Sequence, residues 1–67
     1  MTPAEVIQFN YKRLSKVHDR LVDMYYHRGH GALAAMLNVG LIDVETYRAA
    51  GSALCALSQR RIAKQKA

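Results

Sequence analysis

Three histidines, one cysteine and three serines are the side chains of this 67-residue sequence most suited to bond chemistry, and their spacing argues against it. His27 and His30 stand three apart and His18 lies nine residues upstream. Two imidazoles at that spacing could begin a zinc site, but with no cysteine or nearby carboxylate they fall short of a three- or four-ligand set. Ser15, Ser52 and Ser58 sit in segments that read as helix, with no base beside them. A nucleophile needs such a base to be activated. No glycine-rich phosphate loop or paired carboxylate stands at a recognisable spacing. Cys55 reads as a small apolar residue on a helix face and is compatible with a reducing compartment. The expectation is a non-enzyme with no metal and no cofactor.

Charge and aromatic content point to binding instead. Ten Lys and Arg against five Asp and Glu give +5 at neutral pH, a balance that suits an acidic protein face, nucleic acid or a membrane surface. Four of the five aromatic residues, Phe9, Tyr11, Tyr25 and Tyr26, fall in residues 9–26, and Arg28 follows them. They do not fit a single helical stripe. Exposed tyrosine beside arginine and methionine is the composition of interface hot spots. Phe9, Tyr11, Tyr25, Tyr26 and Arg28 are therefore the candidate partner-binding residues.

These residues are positioned by helices. Thr2-Pro3-Ala4-Glu5 carries an N-cap hydroxyl, a first-turn proline and a glutamate that completes a capping box. Ile7, Leu14 and Leu21 then recur every seven residues, with Val17 in the alternate position, and no glycine interrupts before Gly29. The pattern predicts one helix from about Pro3 to His27, roughly 39 Å long, broken at Arg28-Gly29-His30-Gly31. Ala32 to Val39 reads as a short middle helix ended by Gly40. Asp43 is a good N-cap for a third helix from Val44 to about Lys64, with Ile42 placed to staple onto Tyr47. Ala49/Ala53 and Gly51/Cys55 give that helix small faces suited to close helix approach.

No alternating strand pattern, repeat, signal segment or membrane-spanning run occurs, so the expectation is one all-α domain over residues 1–67, cytoplasmic and without a membrane partner. The anticipated architecture is an antiparallel helical hairpin with a short middle helix. A chain this small is marginal alone, which suggests a homodimer sharing a core of Ile7, Leu14, Val17, Leu21, Leu54 and Leu57. Two nucleic-acid readings stand beside it. Residues 32–48 have the outline of a helix-turn-helix, with Arg48 on the second helix, but Asp43 and Glu45 occupy the end that would enter a groove. Arg60, Arg61, Lys64 and Lys66 could contact phosphates, with no aromatic side chain among them to stack bases.

The segment Gln8–Gly29 (QFNYKRLSKVHDRLVDMYYHRG), within a short helical chain, resembles the small host-takeover proteins made early by temperate phages. That resemblance implies a homodimer that inhibits or sequesters a host regulatory protein, as an anti-activator of a transcription regulator does. A small DNA-binding transcriptional regulator is the alternative.

Overall fold

A computed structural model describes residues 1–66, and among them all regular structure is helical. Helix α1 spans Pro3–Lys16, a 3₁₀ turn spans Asp19–Leu21, α2 spans Val22–Asn38 and α3 spans Val44–Lys66. The capping box at the start is present: the Thr2 hydroxyl accepts from the Glu5 amide at 3.2 Å, and the Glu5 carboxylate accepts from the Thr2 amide at 3.0 Å. This pairing holds the Glu5 carboxyl below its ordinary range.

The single long first helix does not form. The chain leaves the helix at Val17 and His18, both with extended ψ, and restarts through the 3₁₀ turn. Leu14 and Val22, on either side of the break, are both sealed in the core, and the Leu14 and Val17 carbonyls there accept from Arg61. His18 caps the restart, its Nδ1 accepting from the Arg20 amide at 3.2 Å.

The glycine pair at 29 and 31 is likewise not a break, since α2 runs through both. Gly29 is buried there, and a Cβ on it would come within 3.1 Å of Leu54 Cδ1 and 3.6 Å of Asn10 Cβ. α1 and α3 both approach α2 closely there, a role the sequence suggested for Gly51 on α3. The middle helix is accordingly 17 residues long rather than a short connector. It ends at Gly40, which takes φ +79°. The Leu41 amide bonds to the Met36 carbonyl at 2.8 Å and the Gly40 amide to the Leu37 carbonyl at 3.1 Å, the paired bonds of a Schellman stop. Asp43 then caps α3, accepting from the Thr46 amide at 2.8 Å.

Contacts fix how the helices lie. Gly29 meets Asn10 and Leu54, Tyr25 meets Arg13, His30 meets Gly51, and Arg61 meets Leu14. Consecutive helices thus run antiparallel, so α1 and α3 run parallel on one side of α2. The body measures 40 × 20 × 14 Å. Its core is Leu14, Val22, Leu33, Met36, Leu54 and Leu57, with Ile7 and Val17 packed against it and Leu21 half-buried. Val22, Leu33 and Met36 were not among the expected core residues. One chain buries this apolar stripe by itself.

Candidate functional site

The α1–α2 face carries a ladder of rings and guanidinium groups. Phe9 and Arg13 are one helical turn apart on α1, and Tyr25 and Arg28 are one turn apart on α2, so each pair shares a face. Across the helix pair, the Arg13 guanidinium carbon lies 4.5 Å from the Tyr25 ring centroid and 5.6 Å from that of Phe9. The Arg28 guanidinium carbon lies 5.5 Å from the Tyr25 centroid on its own helix. Arg13 also donates from Nη2 to the Tyr25 hydroxyl at 3.1 Å. Contacts of this kind are worth about 0.5–1 kcal/mol each at a wet surface, and they favour this arrangement most at Arg13, which makes two of them and a hydrogen bond. Phe9 remains 50% exposed and Arg28 is exposed. The contacts run from Phe9 to Arg13, from Arg13 across to Tyr25, and from Tyr25 to Arg28, which the antiparallel pairing brings back level with the Phe9 end of α1.

The other two expected partner residues face elsewhere. Tyr26 packs against His27 and His30, with ring centroids at 5.3 and 6.1 Å, and His30 meets Tyr47 edge-on at 5.5 Å. The Tyr47 hydroxyl is 3.5 Å from His30 Nε2. Burial pushes the Tyr26 phenol up, with Cys55 and Tyr47 adding to it. Tyr26 thus belongs to the α2–α3 seam. Tyr11 lies between α1 and α3, where Arg60 Nη2 reaches its hydroxyl at 3.4 Å. Arg13, absent from the expected set, is the centre of the ladder. Its position four residues after Phe9 was the available signal.

The basic residues divide in the same way. Arg61 is occupied: Nη1 donates to the Leu14 carbonyl at 2.9 Å, and Nη2 to the Val17 carbonyl at 2.6 Å and to Asp19 Oδ1 at 2.8 Å. It closes the carbonyls freed where α1 ends, and Gln65 adds a bond to the Asp19 carbonyl at 3.0 Å. With three of its five donors engaged within the fold and its side chain only 18% exposed, Arg61 is poorly placed for the phosphate contact expected of it. Arg48, Arg60 and Lys64 are exposed. At the start of α3, the cap holds the Asp43 carboxyl below its ordinary range, and Glu45 is exposed beside it. That helix end presents negative charge.

The three histidines are separated in role. His18 caps the 3₁₀ turn, His27 lies 3.5 Å from Asp23 one helical turn away, and His30 is stacked in the α2–α3 seam. Among the described residues no group of three or more His, Cys, Asp or Glu side chains is placed to hold a metal. Ser15 and Ser58 donate to the carbonyls of Lys12 and Cys55, at 2.6 and 2.9 Å. No helix of the described residues is long and apolar enough to cross a membrane.

No protein-family model matches the chain, and neither the curated proteins nor the solved structures include a significant match to it.

Proposed function

We propose that this chain is a non-enzymatic protein-binding module that inhibits or sequesters a larger regulatory protein. The observation that carries the reading is the ladder of Phe9, Arg13, Tyr25 and Arg28, in which two rings and two cations stand pre-ordered on one open face. Rings and guanidinium groups held in register before binding lose little rotamer freedom on docking, and they are the side chains that dominate interface energies. The cations favour an acidic patch on the partner, and occlusion of that patch is the mechanism. The resemblance to phage host-takeover proteins points to a host transcription regulator as the target. Within the same proposal the chain forms a homodimer. Leu14, Leu54 and Leu57 are buried within one chain, and the exposed apolar end at Val39, Leu41 and Val44 offers the dimer contact.

Affinity capture from the native cells tests the reading. The tagged chain is expected to hold one protein in stoichiometric amount and to lose it on Arg13→Ala or Tyr25→Ala, while Arg48→Ala keeps it. Retention of the same protein by both ladder variants, or capture of duplex DNA in its place, contradicts the proposal.

A further inference from the structure

Beyond the ladder, the opposite flank of α1 borders an open groove against α3. Part of it is a hollow of ≈ 340 Å³ lined by Ile7, Tyr11, Ala50, Ala53 and Leu54, with Gln8 and Lys12 at the α1 edge. Farther along, a second hollow of ≈ 520 Å³ is bounded by α3 residues alone: Leu57, Ala63 and the basic Arg60, Arg61 and Lys64. Ala50, Ala53, Leu57, Arg60 and Lys64 alternate in steps of three and four, so they form one stripe along α3. From Ala50 to Lys64 that stripe is about 21 Å long, or four helical turns.

The floor and the rims differ in character. The floor is apolar and is kept shallow by two alanines, which would let another backbone approach closely. Lys12 from α1 and Arg60 and Lys64 from α3 border it, and Arg60 reaches across to the Tyr11 hydroxyl at 3.4 Å. No carboxylate faces them: α1 has none beyond Glu5, and α3 has none beyond Glu45. Glu5 is engaged in the capping box, and Asp19 in the bond to Arg61. The positive charge along the groove is unbalanced on both sides.

We propose that the α1–α3 groove binds an amphipathic helix of a partner protein, about four turns long, with an apolar stripe flanked by Asp or Glu. The apolar stripe lies on Ala50, Ala53 and Leu57, and the carboxylates meet Lys12, Arg60 and Lys64. The seated helix completes a four-helix bundle, the helix-in-groove mode of recognition. The ladder lies on the other flank of α1, and Lys12 borders both faces.

The test is a titration of the full-length, ¹⁵N-labelled chain with an amphipathic 18-residue peptide whose leucine stripe is flanked by glutamates. A lysine-flanked peptide of the same stripe serves as the comparison. Amide shifts are expected to gather at residues 8–15 and 50–64, and the lysine-flanked peptide is expected to bind at least about tenfold more weakly. Ala53→Arg, which fills the floor from an exposed position, should weaken binding about tenfold with the melting temperature unchanged. Lys12→Glu combined with Arg60→Glu should do the same. Equal binding of the two peptides, shifts centred on Phe9 and Tyr25, or unchanged binding by Ala53→Arg each overturn the proposal. So do tighter binding of duplex DNA or anionic phosphatidylserine vesicles through the same residues, and concentration-dependent shifts there without peptide, which mark a second copy as occupant. Loss of captured partner in the ladder variants is read separately and leaves this result standing.

Discussion

Arg61 gives the strongest handle on how the first two helices are held apart. Replacing it with alanine removes donors from the Leu14 and Val17 carbonyls and from Asp19. A hydrogen bond from a charged donor is worth about 1.5–3 kcal/mol when its partner is left buried. The Asp19 carboxylate is 62% exposed, so its share is near the small value of a surface pair, about 0–1 kcal/mol. Part of the loss at the two carbonyls is recovered by water entering the gap, so the net cost is taken as about 2–3 kcal/mol. In a domain of this size that lowers the melting temperature by about 10–20 °C. Thermal denaturation followed by far-ultraviolet circular dichroism reads it directly. Arg61→Lys should recover only part of the loss, because an ammonium does not reproduce the planar fork that spans three acceptors. Arg60→Ala, one residue away and exposed, should melt close to the parent. An Arg61→Ala protein that melts within about 2 °C of the parent refutes the reasoning.

Gly31 lies in the interior of α2 with nothing within 4 Å of an added Cβ, so Gly31→Ala should stabilise by about 0.5–1 kcal/mol in urea denaturation. Gly29→Ala should instead destabilise by about 1 kcal/mol as Leu54 is pushed aside; a helix break at 28–31 would make both substitutions costly. Leu33→Ala, at a position 2% exposed, should cost about 2–5 kcal/mol by the same measurement, and a cost typical of a surface site would remove Leu33 from the core. Glu5 and Asp43 have folded-state carboxyls held below their ordinary values, so their stabilisation is complete at neutral pH and is lost as pH falls through the carboxylate range. That loss should appear as a decline in melting temperature below about pH 5. Asp43→Asn, which still caps, should flatten part of that decline, and an unchanged acid limb contradicts the assignment.

The helix ends that depend on neighbouring residues were readable in the sequence. The Thr2–Glu5 box, the stop at Gly40 and the Asp43 cap each satisfy backbone groups within a few residues of themselves. The break at Val17 was not, because its stabilising partners, Arg61 and Gln65, are more than forty residues away. Nothing local marks it: there is no glycine or proline, and the seven-residue apolar recurrence continues through Leu21. Missing that break carried the core stripe to Leu21 and past Val22. The glycines misled for a related reason. Gly29 serves a close approach to α1 and α3, which only the tertiary arrangement reveals, and the helix accepts Gly31 at a modest cost. At the candidate site, Phe9, Tyr25 and Arg28 were recognisable by type. Arg13 was marked in the sequence only by standing four residues after Phe9; its pairing with Tyr25 needed the fold-back at residues 17–21 that brought α1 against α2, and the same fold-back turned Tyr26 toward α3.

Amide hydrogen exchange on the full-length chain, alone and in complex with the protein it captures, tests the central claim most directly. The account predicts that protection gained on binding includes the backbone of residues 9–16 and 24–29, where the ladder is seated, and that Tyr25→Ala abolishes both the complex and the added protection. Protection confined to residues 43–49 and the basic end of α3, with the Tyr25→Ala complex intact, would contradict it.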